Sequence, residues 1–504
     1  MSLAILFSRG QAGMQAPQVR IEVNLSNGLP SVSIVGLAEA AVRESRERVR
    51  CAIVNSQFEF PNRRITINLA PADLPKEGCQ FDLAIALGIL IASGQLNSEQ
   101  IEKFEFLGEL GLTGDLQPVR GSLPAALALK GTDRALILPV QNLAEASLVK
   151  GIRIFGAKHL LDVTAFLQTN TKLQQADAAF PSPEPEPALF DSIIGQHQAK
   201  RALSIAAAGR HNLLMLGPPG TGKSLLANSL TELLPLPSEQ EALESATVQS
   251  LSHQGFQAAN WMKRPFRNPH HSCSSVALSG GGSHPRPGEI SLAHHGVLFL
   301  DEFPEFNRTA LEILREPMET KQIVISRANR QITFPAAFQL VAAMNPCPCG
   351  YAGTDQPGCR CSTEQVQRYQ QRISGPLLDR IDLHIRVPKM PLRELTAEQK
   401  PESQGRQYRQ QIRLAYARQL SRAGKPNHFL TPKELLEHCA LSSNDQSSFS
   451  HYLDKLNISA RAYHKVLKVA RTIADLEEEN RIQLKHLQEA LQYRQMDRGI
   501  SNSR

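Results

Sequence analysis

Gly217-Pro-Pro-Gly-Thr-Gly-Lys223-Ser224 follows the apolar run Leu213–Leu216 and precedes Leu225-Leu-Ala-Asn, which reads as the start of a helix. Strand, glycine-rich loop and helix, in that order, form the context that a phosphate-binding loop requires. Gly217, Gly220 and Gly222, with Pro218, Pro219 and Thr221 between them, let backbone N–H groups close around phosphate oxygens. The helix N-terminus adds the positive end of its dipole. Lys223 can reach the outer phosphates, and the Ser224 hydroxyl can hold a magnesium ion. The expected ligands are therefore ATP and Mg2+.

Three more stretches complete such a site. Gly296-Val-Leu-Phe-Leu-Asp301-Glu302 is a short buried strand ending in two acids. At the carboxyl end of a strand beside the loop, Asp301 can hold the magnesium shell and Glu302 can polarise an attacking water. Leu340-Val-Ala-Ala-Met-Asn345 is a second strand ending in an amide, which can orient that water or touch the γ-phosphate. The plainer reading of Asn345 is a cap on the turn before Pro346. In Ser374-Gly-Pro-Leu-Leu-Asp379-Arg380-Ile-Asp382, Arg380 can act as an arginine finger on a neighbouring subunit's nucleotide, or simply pair with Asp379 or Asp382.

The chain has 504 residues, a length that suggests roughly three domains. Its 41% apolar content suffices for true cores and excludes a disordered chain. A net charge of +7 favours an anionic partner, nucleic acid first. The apolar run Leu83–Ala92 is far short of a bilayer span, so no membrane association is expected. The start Met1-Ser-Leu-Ala-Ile-Leu-Phe lacks a basic leader segment and reads as a first strand. Eight cysteines without an export signal suit a reducing cytoplasm.

Along the chain, residues 1–170 mix strand-like runs (Val19–Val23, Ile65–Leu69) with helix-like ones (Val42–Ser56, Phe81–Ser93), which predicts an α/β domain. Pro181-Ser-Pro-Glu-Pro-Glu-Pro187 forbids helix and marks a linker over 171–189. Over 190–390, strands and helices alternate around the loop, as in a parallel nucleotide-binding sheet. Residues 391–504 are mainly helical, with an apolar stripe Ala462, Val466, Val469, Ile473 and Leu476.

Two insertions can touch a substrate. Residues 250–287 carry Arg264, Arg267, Arg286 and the run Gly280–Gly282, and read as a mobile basic loop. In the same stretch, His270 and His271 lack matching ligand spacing and read as hydrogen-bonding histidines. Ile323–Phe334 reads as a β-hairpin with Arg327 and Arg330 near its tip, placed to meet phosphates without reading sequence. A solvated tip is the plainer alternative. Cys347-Pro-Cys349 and Cys359-Arg-Cys361 can supply four thiolates to a tetrahedral Zn2+, or remain reduced thiols on a glycine-rich loop. The helix bearing Arg406, Arg409, Arg413 and Arg418 reads first as a solvated face, and second as a DNA contact.

Together these parts resemble the AAA+ ATPases, most closely the magnesium-chelatase-like branch. The strings that carry the likeness are Arg264-Pro-Phe-Arg-Asn-Pro-His-His271, Pro285-Arg-Pro-Gly-Glu-Ile-Ser-Leu-Ala-His294 and Leu377-Leu-Asp-Arg-Ile-Asp382. The resemblance implies that Lys223 and Ser224 are Walker A, Asp301 and Glu302 Walker B, Asn345 sensor one and Arg380 the finger. It places sensor two on Arg461, with Arg471 on the same helix as the alternative, and it implies a hexameric ring. Leu74–Ala84 and Leu107–Val119 resemble the ribosomal-protein-like fold of the Lon protease domain, which the DNA-repair ATPase RadA also carries. The positions matching the Lon Ser–Lys dyad fall near Gln80 and Leu123, which cannot do that chemistry. A non-proteolytic scaffold is expected. Over nearly its full length the chain resembles the ComM family of bacterial competence proteins, the YifB-like magnesium chelatases. That likeness implies an ATP-driven branch-migration helicase on branched or single-stranded DNA, which helps to integrate incoming DNA during natural transformation. The alternatives are a chelatase motor subunit acting on a porphyrin, an ATP-dependent protease, and a protein-remodelling ATPase.

Overall fold

A computed structural model of the chain describes residues 3–97, 99–169, 171–175, 188–282, 285–327, 330–353, 358–391, 404–441, 446, 449 and 459–494. Two compact units emerge. The first comprises Met1–Ser182, Leu243–Trp261 and Ser326–Phe334, and the second the remaining segments.

The first unit is α/β, as its mixed sequence pattern predicts. A four-stranded sheet runs in the order Leu3–Arg9, Gln18–Ser26, Arg64–Ala70, Ser31–Val35. Strict alternation in Gln18–Ser26 buries Val19, Ile21, Val23 and Leu25 on one face. Against that sheet packs the helix Asp82–Ala92, apolar nearly all round and buried except at Ile91, which is why its run has no amphipathic signature. A smaller parallel sheet joins Phe104–Phe106, Ala135–Pro139 and Ile154–Ala157. Arg9 of the first sheet grips Glu105 of the second with two bonds, 2.5 and 2.8 Å long.

In the second unit, five parallel strands follow the order Phe266–Arg267, Val297–Leu300, Gln339–Met344, Leu213–Leu216, Leu383–Arg386. The three central strands are buried at every position, as continuous apolar runs in a parallel sheet require. Gln339–Met344 lies between the loop strand and the acid-bearing strand. Its register pairs Met344 with Leu216 and Ala342 with Leu300, so three chain segments emerge side by side at the carboxyl ends of the strands.

Helices cover this sheet. The helix Ala460–Leu476 is capped by the Ser459 hydroxyl, which accepts the Ala462 N–H at 3.2 Å, and buries Ala462, Val466, Val469 and Ile473. Buried Asp382 fastens the helical segment to the base of the sheet. One of its oxygens accepts the Asn212 N–H at 2.9 Å and faces Nδ1 of His428 at 2.8 Å. Burial pushes the Asp382 carboxyl up, but His428 and His211 with their neighbours outweigh it and hold the group well below the usual range. Among the described residues no helix is long and apolar enough to cross a membrane.

Candidate functional site

The phosphate-binding loop spans Gly217–Gly222, between the strand Leu213–Leu216 and the helix Lys223–Leu233. Gly222 turns into that helix at φ +83°, in the left-handed region that a side chain disfavours. At Gly217 a Cβ would stand 2.3 Å from the Val387 carbonyl oxygen, so the loop leaves the strand only as glycine. The Lys223 ammonium donates to the carbonyls of Gly217 (2.7 Å) and Pro218 (2.9 Å) and to Oδ1 of Asn345 (3.1 Å). Burial pushes its pKa down, while Asp301 and Glu302 push it back up.

Sheet register brings the acids to the same place. The Ser224 hydroxyl donates to Oδ2 of Asp301 at 2.7 Å. Two neighbouring ligands of one octahedral magnesium stand roughly 2.9 Å apart, because each bond is about 2.05 Å, so this oxygen pair suits the ion. Glu302 sits at φ +52° and faces His271, with Oε2 2.9 Å from Nδ1. A cavity of about 450 Å3 is lined by Pro219–Leu225, Asp301, Glu302, Met344 and Asn345. Lys223, Ser224, Asp301, Glu302 and Asn345 therefore share one cleft at the carboxyl ends of three adjacent strands, where open α/β sheets bind ligands.

The arginines stand elsewhere. Arg380 does not line this cavity. It donates to the Pro376 carbonyl (2.7 Å) and to Glu319 (2.5 Å), rather than pairing with Asp379 or Asp382. Arg461 has a side chain 73% exposed, with Asp379 at 3.9 Å. Arg471, on the same helix, is buried and donates to the carbonyls of Asn480 (2.9 Å) and Glu479 (2.6 Å) beside Asp475. A guanidinium committed to closing a turn cannot also reach a nucleotide. Arg471→Ala is expected to destabilise the fold by about 1–3 kcal/mol, the usual cost of leaving buried acceptors unmet, since Asp475 keeps Arg422 but the Glu479 and Asn480 carbonyls lose their donor. Arg461→Ala is expected to leave the unfolding midpoint unchanged and to slow hydrolysis. Thermal unfolding of the two variants checks the pair, and equal midpoints would contradict it.

The first insertion differs from the mobile basic loop that its composition suggests. Arg264 is buried, donating to the Pro235 carbonyl at 2.5 Å and the His295 carbonyl at 2.8 Å, beside Glu241. Arg267 holds Glu289 with two bonds of 2.6 and 2.8 Å. Both arginines tie the insertion down, because buried acceptors and a carboxylate satisfy them. His270 bonds the Ser272 hydroxyl at 2.8 Å, and His271 faces Glu302. The His271–Glu302 contact joins residues far apart in sequence, and no spacing rule announces it.

The hairpin strands are Gln322–Arg327 and Arg330–Pro335, and the side chains of Arg327 and Arg330 lie outside the described residues. On the helix Gly405–Ala423, Arg409 donates to the Glu232 carbonyl (3.0 Å) and Arg418 to the Asp475 carbonyl (2.8 Å). The sulfurs of Cys347, Cys349, Cys359 and Cys361 all lie within 4.8 Å of one another.

Comparison with known proteins agrees with this architecture. Residues 189–395 match the family model described as magnesium chelatase, subunit ChlI. Residues 21–142 match that of subunit ChlI of Mg-chelatase, and residues 402–494 that of its C-terminal part. The competence protein ComM of Haemophilus influenzae is 52% identical over 504 residues, covering 99% of this chain and 98% of that one. YifB of Escherichia coli, an uncharacterised protein, is 46% identical over 506 residues, covering 99% and 98%. The magnesium-chelatase 38 kDa subunit of Cereibacter sphaeroides is 28% identical over 181 residues, covering 32% of this chain and 53% of its own.

Proposed function

The chain belongs to the magnesium-chelatase family of AAA+ ATPases, in the group that holds ComM and YifB, and from that membership we propose that it is an ATP-driven motor on DNA. The observation that carries the ATPase reading is the convergence of Lys223, Ser224, Asp301, Glu302 and Asn345 on one cleft. Ser224 and Asp301 would hold Mg2+, which supplies charge neutralisation at the phosphates. Lys223 binds the outer phosphates, Asn345 orients the water, and Glu302 takes its proton. Arg380, which does not line its own subunit's cleft, acts on the neighbour's nucleotide in a hexameric ring, and Arg461 senses the nucleotide from the helical segment.

The DNA reading rests on the competence relative, on the net charge of +7, and on the hairpin that carries Arg327 and Arg330. Such a ring drives branch migration and integrates incoming DNA during natural transformation. In this reading, residues 1–170 are a non-proteolytic Lon-like scaffold, 171–189 a linker, 190–390 the ATPase and 391–504 the helical lid. A chelatase-type or protein-remodelling role is the second reading, supported by the shared family models and the 28% identity to the 38 kDa subunit.

Stimulation of ATP hydrolysis by DNA separates the two. Phosphate contacts by arginines predict that the apparent DNA affinity read from stimulation falls steeply with salt, with a log–log slope of about −0.7 per contact on single strands. Hydrolysis indifferent to DNA at every salt concentration would favour the second reading.

A further inference from the structure

Four cysteine sulfurs converge beside the nucleotide cleft. Cys347 and Cys349 stand 3.3 Å apart, Cys347 and Cys359 3.8 Å, and Cys349 and Cys359 3.7 Å, with Cys361 in the same group. A zinc ion bound tetrahedrally by four thiolates at about 2.3 Å sets its sulfurs roughly 3.8 Å apart. All four are free thiols. The Ala352 N–H donates to Cys347 Sγ at 3.2 Å, the kind of backbone bond that steadies a coordinating thiolate. With four protein ligands and no open position, the set suits a structural ion rather than a catalytic one.

The position of this group gives it a second consequence. Asn345, which accepts from the Lys223 ammonium, lies two residues before Cys347. Gln370 steadies the intervening Pro346 by donating to its carbonyl at 2.9 Å. Just after Cys349, Gly350 turns at φ +89° directly over the phosphate-binding loop. A Cβ there would meet the Pro219 ring at 2.6 Å. The cysteine loop therefore touches the nucleotide cleft at two points, one at the sensor residue and one at the loop tip.

We propose that Cys347, Cys349, Cys359 and Cys361 bind one Zn2+, and that the bound ion braces the phosphate-binding loop through Gly350 on Pro219 and through Asn345 on Lys223. Binding replaces the thiol protons, which pass to solvent. The bracing half rests on the nucleotide-site reading above; the zinc half does not.

The test uses the full chain, purified without chelator. Elemental analysis is expected to give about one zinc per chain, and Cys359→Ser/Cys361→Ser to lose it. Replacement by Co2+ adds a check that needs no variant, since a tetrahedral thiolate site gives intense visible absorption. Gly350→Ala is expected to keep the zinc. A shift of about 1 Å at the loop tip should lower ATP turnover on the order of 10²-fold. Metal-free protein that is folded and binds ATP overturns the zinc site and leaves the nucleotide site standing. Zinc-loaded Gly350→Ala with full turnover overturns the brace alone.

Discussion

Glu302→Gln is expected to bind ATP as the native protein does and to hydrolyse it about 10²–10⁴-fold more slowly, the usual contribution of a positioned general base. The amide keeps the size and shape of the side chain but cannot take a proton from water. Its backbone N–H still donates to Asp301 (2.9 Å), so the Ser224–Asp301 pair keeps its support. The hydrogen bonds of Lys223 to Gly217, Pro218 and Asn345 do not involve the Glu302 side chain, and Asp301 still supports the Lys223 charge, so binding is expected to persist. Nucleotide titration and phosphate release on the same preparation check both halves. Normal hydrolysis would remove Glu302 from the chemistry, and loss of binding would mean that its carboxylate also supports the loop.

The second large effect belongs to Arg380. An arginine finger contributes about 10³–10⁵-fold to turnover, so Arg380→Ala should be nearly inactive while still binding ATP. The side chain is held by Pro376 and Glu319 on its own chain and does not line its own cleft. An action in trans makes a sharper prediction than inactivity alone. Mixing Arg380→Ala with Lys223→Ala should restore part of the activity, because some interfaces then pair an intact loop with an intact arginine. If the mixture stays as inactive as its components, the finger role is wrong, and Arg380 serves only to hold Glu319 and the Pro376 turn.

Much of the site was legible because its signals are local. A glycine-rich loop between an apolar run and a helix needs no distant partner to be recognised, and an apolar strand ending in Asp301-Glu302 is nearly as plain. The meeting of Asn345 with Lys223 was less accessible. It depends on Gln339–Met344 inserting between two strands that precede it in sequence, and periodicity carries no strand order. The first insertion departs furthest from what its composition suggests. Composition there marks arginine-rich, glycine-rich chain, but not that Arg264 finds buried carbonyls and Arg267 finds Glu289. Arg461 and Arg471 were likewise indistinguishable by type, since only burial shows that Arg471 closes a turn. The His271–Glu302 contact was invisible for the same reason.

ATP-dependent strand exchange on a labelled three- or four-way DNA junction asks whether the chain moves DNA. Native protein and Lys223→Ala would be run side by side. Movement of the junction is expected with ATP and native protein, and none with the variant. A junction that stays in place while native protein hydrolyses ATP at a rate indifferent to DNA would contradict a motor on DNA.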